Sequence, residues 1–202
     1  DTNGDLTDVF AGQMAPRYFP IQLKDMGAKL NFKNLSEGSF RVSDYKLETI
    51  FVNHPGLTLG YRIQADDKTV VYISDNEPYN YLPGGHLADH LLKNPQFKKF
   101  DEFMEDPNRR VIDFAKGADV LIHDTQYTPE EYPSKLTWGH SPYDYTVNIA
   151  IQAEVNHLVL YHHDHMHSDQ AMDGILEKAR ALGAKKRPQM KISGAMEGAE
   201  IL

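Results

Sequence analysis

His54, Asp75 and His162 lie far apart in the chain, yet each stands beside a strand-like segment. Imidazole and carboxylate are the donors that Zn, Mn or Fe take when thiolate is absent. The chain contains no cysteine, so any metal must be held by such groups. A fold that delivers these three residues to one sheet edge creates the ligand set of a hydrolytic divalent-metal site. A carboxylate can bridge two ions and so help generate a hydroxide near neutral pH. His123-Asp124 and Gly139-His140-Ser141 also stand at the ends of elements, where open α/β folds gather ligands. Each residue alone has a plainer explanation. His54 before Pro55-Gly56 reads as a turn residue, and Asp75 as a helix cap or an Asx turn. The run His162-His163-Asp164-His165-Met166-His167-Ser168-Asp169 reads as a metal-affine surface loop. Joint placement is what separates the two readings.

The elements that must do this placing follow from pattern. Residues 47–52, 57–64 and 69–74 read as strands, with a hairpin turn at Ala65-Asp66-Asp67-Lys68. Residues 1–45 are turn-rich. Residues 79–117 look helical and irregular, and their Tyr79, Tyr81, Phe97, Phe100 and Phe103 suggest a packed cover or a wall of the site. A β-α-β-α-β rhythm follows. Strands are expected at 119–123, 157–161 and 190–193, with helices between them. The first helix is expected to be capped by Ser141, with Pro142 at its first position. The second is expected to be capped by Ser168 and stopped by Gly183. Strands alternating with covering helices predict a layered α/β fold.

Composition excludes several classes. With 202 residues, 41% of them hydrophobic, the chain can bury a core without disulfides. No run of 18 apolar residues exists, and no signal peptide is visible, so a cytoplasmic location is expected. Lys+Arg number 21 against 29 Asp+Glu, a net charge of −8. A basic footprint for duplex nucleic acid is missing.

Taken in order, five stretches resemble the metallo-β-lactamase-fold hydrolases, in their phosphodiesterase and ribonuclease Z-like branch. They are Asn53-His54-Pro55-Gly56 with Leu59–Ile63, then Val71–Glu77, Ala118–Tyr127, Trp138-Gly139-His140-Ser141 and Leu158–Asp164. The segment Gly12–Pro20 is similar as well, so the resemblance runs over roughly residues 10–200. It implies a metallo-β-lactamase-like αββα sandwich, here mainly its C-terminal two-thirds, as a single domain over 1–202 with a helical insertion at about 79–117. It implies two divalent ions, Zn or alternatively Mn or Fe, with His54, Asp75 and His162 as ligands and Asp75 bridging. It implies that His140 protonates or stabilises a scissile phosphate. Asp124 is expected to orient His140, since both lie at adjacent strand ends.

Members of this family place an HxHxDH motif upstream of these stretches, and nothing upstream of His54 matches it. His165-Met166-His167-Ser168-Asp169-Gln170 comes within one residue of that motif, but it ends in Gln and sits near the end of the chain. It is expected to be a decoy. Three ligands cannot complete a two-ion site, so this chain is expected to bind metal weakly and hydrolyse poorly. It is also expected to self-associate or pair through an uncovered sheet face. Only 20 residues separate His54 from Asp75, so no long RNA-gripping arm is inserted there. That spacing and the acidic balance favour a small phosphodiester, such as a cyclic nucleotide, as substrate. The alternatives are a lactone or thioester hydrolase on the same fold and a non-catalytic interaction domain.

Overall fold

The computed structural model of the chain describes residues 6–79, 85–93 and 100–201. Their contacts form two compact units, Asp1–Ser36 and Glu37–Leu202. In the first unit, helix α1 spans Leu6–Gln13 and buries none of its residues. The rings of Phe10 and Phe32 stack there at 5.2 Å.

The second unit is built on one seven-stranded sheet. Its strands are β1 Gly38–Val42, β2 Tyr45–Val52, β3 Thr58–Ala65, β4 Lys68–Ile73, β5 Val120–Asp124, β6 His157–Tyr161 and β7 Lys191–Gly194, and they neighbour one another in chain order. Strands β1 to β4 pair antiparallel, and β4 to β7 pair parallel. Connection length explains the change. Asp66-Asp67 closes the β3–β4 hairpin in two residues, with Asp66 in the left-handed region at φ 51°, a conformation that Asp tolerates. Parallel neighbours need crossovers. These carry helices α2 Ala88–Lys93, α3 Phe100–Glu105 and α4 Arg109–Ala115, then α5 Tyr143–Gln152 and α6 Asp169–Lys186.

The core lies between the sheet and the helices. Val71 and Ile73 of β4, Leu121 of β5, Leu158 and Leu160 of β6 and Ile192 of β7 are buried with Val147, Ala150, Ile175 and Ala179. Such alternation along strands is what commits one face to a core. On the opposite face the chain near its end, at Ala199 and Ile201, lies over Val70, Val120 and Ile122 and bounds a cavity of about 300 Å³. In the insertion, Tyr79 and Phe103 are buried and meet edge to face at 5.6 Å. They form a packed cover. Tyr81, Phe97 and the Phe100 side chain lie outside the described residues.

Several local expectations are corrected. Strand β1 arises within the stretch read as turns; its half-buried Phe40 pairs with Leu47. Ser141 does not cap α5: its side chain is buried and donates to the Asn76 carbonyl, and Pro142 occupies the N-cap. Ser168 does cap α6, accepting from Ala171 N at 3.3 Å. Gly183 does not end α6, which continues to Lys186. A Cβ on Gly183 would come within 2.6 Å of Ile192 Cδ1, so this glycine lets the helix pack closely on β7.

Candidate metal centre

Strand direction brings the chemistry together. Strands β4, β5 and β6 run parallel, so Asp75, Asp124 and His162 lie at the same end of the sheet. Strand β2 is twice reversed relative to β4, so His54, two residues past Val52, arrives at that end too. His140 reaches it from the loop that precedes α5.

The side chains converge. His162 Nε2 lies 3.7 Å from Asp75 Oδ1, and His140 Nδ1 lies 4.0 Å from the same oxygen. The His140 ring stands 4.7 Å from that of His162 and 5.7 Å from that of His54. His54, Asp75 and His140 each offer a ligand atom, and these atoms lie within 4.8 Å of one another. The tightest grouping thus includes the histidine expected to act on the substrate, with His162 against Asp75 beside it. Among the described residues no other His/Asp/Glu trio meets that spacing.

Local geometry suits this donor set. His54 Nδ1 lies 3.2 Å from the Gly56 carbonyl and 3.2 Å from Thr58 Oγ1. Gly56 N donates to the same Nδ1 at 3.1 Å, and these short-range contacts hold the ring in place. Gly139, at φ 94°, backs onto this ring; a Cβ there would sit 2.3 Å from His54 Cδ2. His162 is itself left-handed, at φ 58°. Such strain persists where surrounding structure enforces it, often at functional sites. Burial first, and then the neighbouring His140, lower the His162 pKa, which keeps its imidazole neutral. Ser74 Oγ donates to Asp75 Oδ2.

Asp124 is buried and holds His140. Its Oδ2 accepts from His140 Nδ1 at 2.9 Å and from Asn76 N at 3.0 Å, while its Oδ1 accepts from Gln126 N at 3.2 Å. Burial pushes the Asp124 carboxyl up to about 7, and the His140 bond opposes that rise. The two groups compete for one proton. Three N–H donors favour the carboxylate, so the proton resides on His140. Burial works to lower the His140 pKa, but the Asp124 carboxylate outweighs it and holds His140 above its ordinary range.

Sequence reasoning missed the layer beneath. Glu77 is buried, 3% exposed, and four donors converge on it. Asn53, also buried, donates to the Glu77 carbonyl and accepts from His86 N. Gly85, at φ 62°, passes so close that a Cβ would lie 2.3 Å from Asn53 Oδ1. Glu77 and Gly139 stood inside matching stretches, but nothing local in the sequence announced their bonds. The decoy is resolved differently. His165 is 90% exposed at its side chain, His167 bonds Glu131 at 2.9 Å, and Ser168 begins a helix.

No family model matches the chain. Ribonuclease Z of Thermoplasma volcanium is 28% identical to it over 161 residues, covering 71% of this chain and 52% of that protein. Ribonuclease Z of Thermoplasma acidophilum is 28% identical over 181 residues, covering 81% of this chain and 56% of that protein. The chain therefore spans about half the length of the curated relatives it matches. Among solved structures, the metallo-beta-lactamase fold protein YhfI from Bacillus subtilis superposes with a TM-score of 0.59 at 17% identity, over 82% of this chain and 53% of that one. The chain has the metallo-β-lactamase fold. No helix among the described residues is long and apolar enough to cross a membrane.

Proposed function

We propose that this chain carries metal-holding residues of a metal-dependent phosphodiesterase acting on a small phosphodiester, such as a cyclic nucleotide. His54, Asp75 and His162 would hold divalent metal, Zn or alternatively Mn or Fe, with Asp75 between two ions. The observation that carries the reading is that His162 Nε2 lies 3.7 Å from Asp75 Oδ1 while His54 offers a ligand atom within 4.8 Å of one on Asp75. Two imidazoles and a carboxylate suit such ions without thiolate. Bound there, the metal would supply positive charge to the phosphate and lower the pKa of a water.

The chain's own residues account for the rest. His140 donates from Nδ1 to buried Asp124, which fixes the ring and leaves Nε2 to face the substrate. Held above its ordinary pKa, His140 keeps a proton near neutral pH. It can pass that proton to the leaving oxygen or hydrogen-bond a phosphoryl oxygen as charge develops. Asp124 stabilises the imidazolium. The ribonuclease Z relatives are consistent with phosphodiester chemistry. The net charge of −8 and the 20 residues between His54 and Asp75 argue for a substrate smaller than RNA.

The test is hydrolysis of a bis-aryl phosphodiester with added Mn or Zn, beside an aryl ester. Metal-stimulated phosphodiester cleavage that Asp75→Asn abolishes is expected. His140→Ala is expected to reduce phosphodiester cleavage far more than ester cleavage. Equal losses on both substrates would favour a lactone or thioester hydrolase. No metal-dependent cleavage would leave an interaction domain as the reading.

A further inference from the structure

We propose that Glu77 is a positioning residue for His140, clamping the loop 132–139 so that Gly139 backs onto His54 and His140 faces Asp75. The proposal rests on the role given to His140 above, but its geometry stands independently. Glu77 Oε1 accepts from Tyr132 Oη at 3.0 Å and from Thr137 N at 2.6 Å. Its Oε2 accepts from Gly139 N at 3.1 Å and from His86 Nε2 at 3.1 Å. Three of these four donors belong to the loop that delivers His140. A carboxylate accepts and cannot donate, so it matches four converging donors, and such charge-assisted bonds are the strong ones.

The loop needs such a clamp. Thr137 and Gly139 are both left-handed, at φ 71° and 94°, and a non-glycine residue there is strained. Their two N–H groups are the ones that Glu77 takes. The clamp also sets tolerance. Gly139 passes so near His54 that any Cβ would collide with its ring. A loop free to shift would therefore disturb His54 and His140 together. Misplacement of about 1 Å can cost roughly 100-fold in rate.

Trp138 provides a readout that does not depend on activity. It is the one tryptophan of the chain, lies between the two clamped residues, and is 58% exposed with Lys135 Nζ 4.3 Å over its ring. Its fluorescence anisotropy and acrylamide quenching report loop order. Glu77→Gln keeps the size of the side chain but replaces one acceptor oxygen with a donor. The control is Glu37→Gln, which weakens the half-buried ion pair with Arg110 elsewhere in the unit.

The expected result for Glu77→Gln is lower Trp138 anisotropy, about twofold stronger quenching, and kcat reduced roughly 100-fold with KM within about twofold. Glu37→Gln is expected to lower Tm without moving Trp138 or kcat. Unchanged Trp138 signals in Glu77→Gln overturn the proposal, and so does an equal change in Glu37→Gln. If the wild type hydrolyses nothing, the functional reading fails while Trp138 still decides the clamp. If Glu77→Gln does not fold, Tyr132→Phe removes one donor to the clamp. A smaller shift of Trp138 in the same direction then supports the proposal, and none overturns it.

Discussion

His54, Asp75, His140 and His162 come from four separate segments and meet. His163, His165 and His167 come from one segment and disperse: His163 Nε2 lies near the Ala195 carbonyl, His165 is exposed, and His167 bonds Glu131. His163, His165 and His167 fall within five residues, so density along the chain points to the second group. Topology points to the first. Parallel strands carry their C-terminal ends to one edge, whereas consecutive residues in a turn face different ways. Histidine-rich sequence is a weaker guide to which imidazoles meet than histidines at element ends.

The largest effect should come from the shared oxygen. Asp75→Asn is expected to remove metal-stimulated hydrolysis by at least about 100-fold, while His165→Ala, His167→Ala or both leave it unchanged. Equal losses from the two groups would erase the contrast. Next is His140→Ala, expected to lower phosphodiester cleavage by roughly 100- to 10,000-fold. Asp124→Asn should produce a smaller loss, with a pH profile shifted to lower pH, because the His140 imidazolium loses its carboxylate. A profile identical to wild type would contradict that coupling.

Stability separates buried from exposed positions in the same way. Leu160→Ala, at a fully buried position of β6, is expected to destabilise the second unit by about 2–5 kcal/mol in urea unfolding. His123 supplies a pH signature. It is fully buried, donates from Nδ1 to the Asp124 carbonyl at 2.7 Å, and burial pushes its pKa down to about 4. The folded protein therefore keeps His123 neutral where the unfolded chain would protonate it. Its contribution is intact above about pH 6.5 and is lost as pH falls from there toward 4, by roughly 1.4 kcal/mol per pH unit at most. His123→Leu should flatten the dependence of Tm on pH across that window, and an unchanged slope would contradict the assignment. The smallest effect is His165→Ala, expected within about 0.5 kcal/mol of wild type.

Much of this arrangement was legible in the sequence because it follows from strand ends. The hydrophobic runs at 69–74, 119–123 and 157–161 located β4, β5 and β6, and the polar residues just beyond them define the cluster. Asp124 ends β5, and His140 meets it from the loop that precedes α5. What stayed hidden depends on long-range contact. Nothing local marks Glu77, because its four donors come from segments as far as 62 residues away. Ser141 and Gly183 followed local rules for helix ends, but tertiary bonding to Asn76 and close packing on Ile192 overrode those rules. Strand β1 lacked a clear alternating pattern and exists through its pairing with β2.

Calorimetric titration of zinc into the wild-type chain, Asp75→Asn, and the double variant His165→Ala/His167→Ala tests the central claim most directly. Weak binding that Asp75→Asn abolishes and the double variant retains is the predicted result. Binding that survives Asp75→Asn and disappears in the double variant would place the cation on the histidine-rich turn and contradict the account.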